Sequence, residues 1–153
     1  MSEETRAPVL LVRAGGRVCA LPLADVMEIM RPLPTTPVAG LPPFVLGASV
    51  VRGAAVPVVK LSAFLGTAEA AAAERFVLVR CGARAAVLAV EEVSGVVPLE
   101  RVDRAARPLL GVAEGAAAEA LGALDGELLV VLRAARIVPD DAWRAAAGRE
   151  DLA

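Results

Sequence analysis

Catalysis needs a nucleophile, a base, a metal-holding set or a phosphate cradle, and this sequence is poor in all of them. It contains no histidine, which removes the commonest general base and imidazole ligand. Its four serines, Ser2, Ser49, Ser62 and Ser94, stand in no nucleophile-elbow setting. Cys19 and Cys81 lack the CxxC spacing of a zinc or redox site. They read as small buried hydrophobes in a reducing compartment, not as a disulfide framework. The acid pairs Glu91-Glu92 and Asp140-Asp141 are neighbours in sequence, so their carboxylates do not face one another, and solvated surface is the simpler reading. No GxGxxG or Walker phosphate loop occurs. The expectation is a protein that is not an enzyme, with no cofactor and no metal site. What remains is recognition by surface, and the two charged residues that stand out are Glu28 and Arg52.

The rest of the chain must position those residues. It has 153 residues, 57% of them hydrophobic and mostly Ala, Val and Leu, with 3% aromatic and no tyrosine. Such a core is aliphatic and β-branched, which favours strands. A net charge of -2 exerts no general pull on nucleic acid or an anionic membrane. Mean hydropathy is high, at +0.63. Even so, apolar runs such as Val9 to Val12 and Phe76 to Val79 meet Gly, Pro or Arg well short of the roughly 18 residues of a membrane span. The start, Met1-Ser2-Glu3-Glu4-Thr5-Arg6, is acidic, lacks an apolar stretch and reads as no signal peptide.

An internal repeat organises these strands. Residues 11–29 align with 78–96 at an offset of 67, with seven of nineteen positions identical, among them Gly15/Gly82, Arg17/Arg84 and Val26/Val93. Each copy is an apolar run, a glycine turn and a second apolar run, the pattern of a β-hairpin. Residues 51–65 match 124–138 at an offset of 73, with Gly53 against Gly126. Leu46-Gly47-Ala48 recurs as Leu121-Gly122-Ala123 at an offset of 75, which reads as two residues lost before the second turn glycine. The repeat predicts two small closed β units, lobe one at about 8–66 and lobe two at about 75–138, with turn glycines in equivalent places. Thr67 to Glu74 is a link or short helix, and Arg104 to Ala120 a loop with a helical turn. Pro139-Asp140-Asp141 starts a C-terminal helix over 139–153 whose Trp143 is expected to pack on lobe two.

In order and spacing, these elements resemble the CheW-like domain family from about Pro8 to Val138. The resemblance is carried by Val26-Met27-Glu28-Ile29, then by Pro43-Phe44-Val45-Leu46-Gly47 leading to Val51-Arg52-Gly53 and Val56-Pro57-Val58, then by Val90-Glu91-Glu92-Val93 and the strand pair around Asp125-Gly126. It implies one all-β domain over 8–138, built as two SH3-like five-stranded β-barrel lobes packed together with short helices. It also implies a non-catalytic adaptor in bacterial chemosensory signalling. Such an adaptor joins the cytoplasmic tip of a chemoreceptor (a methyl-accepting chemotaxis protein) to the regulatory domain of a CheA-type histidine kinase. It is cytoplasmic and recruited to membrane-associated receptor arrays, and involves neither nucleic acid nor membrane insertion.

From the residues alone, Arg52 reads as a solvated hairpin arginine, Glu28 as an exposed loop carboxylate, and Val26 and Ile29 as mainly core. The resemblance makes Val26, Glu28, Ile29, Val51, Arg52 and Gly53 candidates for the receptor groove. Leu128 and Val130, or their alternate-facing neighbours, are candidates for kinase contact. The sequence departs from the family pattern at Val50-Val51 (usually Asn-Leu), at Glu91 (usually Asp) and at Arg133 (often Asp). Those departures leave open a divergent adaptor that binds receptor or kinase only and serves an alternative pathway.

Overall fold

The computed structural model describes residues 8–66, 72–98, 118–124, 127–132 and 137–150. Its first elements are strands β1 (Pro8–Ala14) and β2 (Arg17–Pro22), paired in register from Val9↔Pro22 to Ala14↔Arg17. Gly15 and Gly16 turn the hairpin at φ 59° and 77°, the left-handed pair that a two-residue hairpin loop demands. A 3-10 turn over Leu23–Asp25 follows, then β3 (Val26–Met30), β4 (Val45–Val51), β5 (Ala54–Lys60) and the short helix α1 (Leu61–Phe64). The second half repeats this order as β6 (Arg75–Cys81), β7 (Arg84–Val90), β8 (Glu92–Pro98), β9 (Ala118–Leu124) and β10 (Glu127–Leu132), and ends with α2 (Asp140–Glu150).

The expected repeat is present strand for strand. Phe76↔Ala89 and Cys81↔Arg84 on β6–β7 reproduce Val9↔Pro22 and Ala14↔Arg17 at an offset of 67. Gly82, at φ 66°, turns this hairpin where Gly15 turns the first. Gly126 lies outside the described residues, as do Thr67 to Ala71 and Arg104 to Ala117 of the two expected connections. Ala118 to Ala120 are strand rather than loop. The offset of 73 runs through β4 and β9: Gly47 lies opposite Val58, and Ala120 opposite Val131. Gly47 therefore corresponds to Ala120 and not to Gly122, and no two-residue loss separates the copies. The shared Leu-Gly-Ala is a likeness of composition without a likeness of register.

The lobe boundaries are corrected more deeply. One sheet has the order β8-β1-β2-β10-β9 and the other β3-β6-β7-β5-β4. Each half of the chain thus gives its first hairpin to a sheet completed by the other half's remaining three strands. On the first side a 3-10 turn at Leu23–Asp25 follows β2. It carries the chain away from β2, and β3 pairs antiparallel with β6 instead of returning along the first hairpin. On the second side β8 crosses to β1. That crossing is fastened where the Gly15 N–H donates to the Glu91 carboxylate and the Glu91 N–H donates to the Arg13 carbonyl at 3.0 Å. The hairpins then join the exchanged strands by parallel pairings, β2 with β10 and β5 with β7.

The sheets are open where closed barrels were expected. Among the described residues no ladder joins β3 to β4 or β8 to β9. On β4 the edge meets the Pro-rich connection instead: Thr36 and Ala48 exchange backbone hydrogen bonds of 2.8 and 3.0 Å. A Cβ on Gly47 would stand 2.0 Å from the Thr36 carbonyl oxygen, so the close approach requires glycine. Ser49 is buried against this connection and donates to the Pro34 carbonyl at 2.9 Å, a structural duty for its hydroxyl.

Alternation along β6 divides the apolar core. Val77 and Val79 join Leu88, Val90, Leu10, Val12, Cys19 and Leu21 in the cluster between the hairpins. Phe76 and Leu78 turn the other way, to Val51, Val56, Val58 and Val87. Both faces of the central strands are buried, which is why their sequences run apolar without alternation. Trp143 is buried in the first cluster; α2 packs mainly on β5 and β4, strands of the first half, while Trp143 itself meets Arg84 of β7 in the second half.

Candidate functional site

The residues singled out by type meet in space. Arg52 and Gly53 form the two-residue turn between β4 and β5, both left-handed at φ 51° and 83°. Asn or Gly takes such a position cheaply, whereas a Cβ-bearing arginine costs about 1–2 kcal/mol there. Arg52 is the one non-glycine residue at positive φ among the described residues. Its guanidinium donates to Glu28 Oε2 at 2.7 Å. Glu28 stands on β3 just past a register break between Val26 and Glu28, which re-aims the strand's side chains.

This contact says something about shape. In the order β3-β6-β7-β5-β4 the two partners sit at opposite edges of one sheet. In a flat sheet those edges would be roughly 14–19 Å apart, at about 4.8 Å per strand. The sheet must curl strongly for one ion pair to span its seam. The pair is solvated, with side-chain exposures of 72% for Arg52 and 38% for Glu28. A solvated pair contributes only about 0–1 kcal/mol. That does not exceed the cost of the left-handed arginine, so the fold gains nothing net from placing Arg52 there.

Exposed apolar side chains stand on the neighbouring strands. Met27 and Ile29 project from β3, and Leu46 and Val50 from β4. Among the described residues these are four of the five large exposed hydrophobics, the fifth being Val96 on β8. An exposed ion pair together with exposed apolar side chains on the neighbouring strands has the chemistry of a docking surface, apolar area for affinity and charge for register.

The structure sorts the sequence candidates. Glu28, Ile29, Arg52 and Gly53 are on this surface; Ile29 is 44% exposed where a mainly buried side chain was expected. Val26 is partly buried against the central cluster. Val51 is buried in the core of the curled sheet and offers no surface to a partner, because its neighbour Val50 takes the outward face of the strand. Leu128 and Val130 lie on β10, an interior strand between β2 and β9, and their side chains are outside the described residues. Sequence reasoning missed Met27, Leu46, Val50 and Val96. Val50 carried a signal, since it replaces the usual polar residue before Arg-Gly.

Among the described residues no group of three or more His, Cys, Asp or Glu could hold a metal ion. No described helix is long and apolar enough to cross a membrane. Burial pushes the Cys81 thiol up to about 11, with the nearby Asp25 carboxylate adding to the rise and Arg84 opposing it.

No curated protein matches the sequence. Among solved structures, the chain is similar to the scaffolding protein TtCheW from Thermoanaerobacter tengcongensis. The TM-score is 0.76 at 19% identity, over 86% of this chain and 92% of that one, a likeness of fold. The family model of the CheW-like domain matches residues 8–142. The exchanged ten-strand architecture and that match across most of the chain establish that it belongs to the CheW-like domain family.

Proposed function

We propose that this protein is a non-catalytic scaffold that couples chemoreceptors to a CheA-type histidine kinase in a bacterial chemosensory array. The observation that carries the reading is the Glu28–Arg52 pair, set on a left-handed turn, with Met27, Ile29 and Val50 exposed on the strands beside it. A receptor tip is a helical hairpin. One amphipathic helix face laid along this corner would cover the apolar side chains, while its polar side chains meet the ion pair. The kinase regulatory domain is the second partner. Leu128 and Val130, or residues alternating with them, remain the proposed contact. Individual contacts of micromolar strength suffice, because repetition in an array supplies avidity. Family membership supports the scaffold role.

Co-sedimentation with receptor-containing membranes, with and without purified kinase, tests the reading. Recovery with receptor alone and a further gain with kinase is the expected result. Receptor recovery that kinase does not alter would favour an adaptor of one partner in an alternative pathway. The exposed Val50 motivates that second reading, because it gives this corner more apolar surface than the family pattern has. No recovery in either arm overturns both.

A further inference from the structure

Helix α2 stands directly behind the Arg52 hairpin, and its contact with that hairpin is unusual. The helix packs on β5 and β4. Between them runs a half-open groove of about 420 Å³. Ala54, Ala55 and Val56 form one wall; Trp143 and Ala146 form the other. Ala83, Arg84 and Ala85 around the start of β7 also line it, and Trp143 is the one large apolar side chain that α2 presents to the groove. Its ring is itself held: the Arg84 guanidinium lies over it, 4.3 Å from the centroid. Arg84 opens β7, the strand that pairs with β5, so this cation–π contact ties helix to sheet.

Ala54 follows the Arg52-Gly53 turn immediately. A two-residue turn has no slack, so any tilt of β5 at Ala54–Val56 is passed to Arg52. Arg52 must then find Glu28 across an open seam that no ladder closes. Something outside the seam has to set the angle of the hairpin.

We propose that Trp143 is a positioning residue for the Arg52–Glu28 docking corner: seated by α2 and clamped under Arg84, it fixes the base of the β4–β5 hairpin and so the direction of the Arg52 guanidinium. The inference rests on reading that corner as a docking site, but its first readout does not depend on a partner. Trp143 is the sole tryptophan, so its emission reports its own seating.

The test uses the full chain as wild type, Trp143→Phe, Trp143→Ala, Arg84→Gln and Arg52→Ala. Amide hydrogen exchange is read at the hairpin, residues 51–56, against the β1–β2 hairpin as internal reference. Binding of a receptor-tip helical hairpin and a melting curve are read on the same samples. Trp143→Ala is expected to speed exchange at 51–56 about tenfold while the reference hairpin stays unchanged. It should weaken binding about tenfold, and Trp143→Phe should restore most of both. Arg84→Gln should shift the tryptophan emission and loosen 51–56 to a smaller degree. Unchanged exchange at 51–56 in a folded Trp143→Ala protein overturns the proposal, as does loosening that spreads equally to the reference hairpin. If Trp143→Ala does not fold, Arg84→Gln and Trp143→Phe decide: normal exchange at 51–56 in both sinks the idea. Unchanged binding in Arg52→Ala would instead overturn the docking reading, and exchange would still decide whether Trp143 sets the hairpin.

Discussion

Strands β3 and β8 are the same element made twice. Each leaves its own hairpin, pairs antiparallel with the first strand of the other half and breaks register at the same point, Val26/Glu28 on β3 and opposite Leu11/Val12 on β8. Ile29 on β3 and Val96 on β8 are equivalent, and both are exposed. Past the break, however, β3 carries Glu28 and β8 carries Gly95, whose φ of 140° favours glycine. The turn residue equivalent to Arg52 is Asp125, outside the described residues. Gly95 offers no side chain at the position of Glu28, so β8 makes the repeated crossing without the counterpart of that carboxylate. The ion pair on the first copy is an addition to the fold, which is why it is read as a surface for a partner.

The largest effect should come from a position where the copies differ in residue type. Gly47 meets the Thr36 carbonyl, whereas the equivalent Ala120 already carries a Cβ. Gly47→Val is expected to destabilise by about 4 kcal/mol or more, through backbone overlap and strain at φ 140°. Ala120→Gly should cost about 1 kcal/mol or less. Urea midpoints of the two variants check this; equal losses would mean that the Pro-rich connection does not distinguish the copies.

Arg52→Gly separates function from fold. It relieves a left-handed arginine, so stability should hold or rise by about 1 kcal/mol, while receptor-tip binding falls by about 1.5–3 kcal/mol, the worth of a charge-assisted hydrogen bond. Titration calorimetry and a melting curve on one sample read both. Binding at the wild-type level would place the receptor elsewhere.

A smaller contrast tests the two apolar edges. Ile29→Asp and Val96→Asp should each leave stability within about 0.5 kcal/mol, since both sites are exposed. Only Ile29→Asp should weaken receptor binding. Equal loss from both would make the two edges functionally alike and remove the comparison.

Cys81 takes, in the second hairpin, the place of Ala14 in the first. With its thiol at about 11, it should resist alkylation at pH 8 in the folded protein. A raised thiol pKa favours the neutral form in the native state, so the unfolded chain loses its proton first as pH rises. Stability should thus be unaffected below about pH 8.5 and fall by at most about 2 kcal/mol as pH climbs from 9 toward 11. Cys81→Ala should abolish that fall in chemical denaturation curves.

Much of this was legible in the chain. Two runs of like length around Gly15 and Gly82 identified the hairpins, and the offsets of 67 and 73 identified two repeated sets of four or five strands. Local chemistry determines such features: strand periodicity and turn glycines act over a few residues. Which hairpin completes which sheet was not legible. The two arrangements contain the same strands, and the choice is made by pairings between residues 46–53 positions apart on β3–β6 and 79–90 apart on β1–β8. The same holds for burial at single positions. Val50 and Val51 are alike in type, but the strand's alternation and the curl of the sheet send one to solvent and the other to the core. Glu28 and Arg52 could each be noticed in sequence; that they touch depends on two edges of one sheet being brought around to meet, which packing on both faces decides and no local pattern encodes.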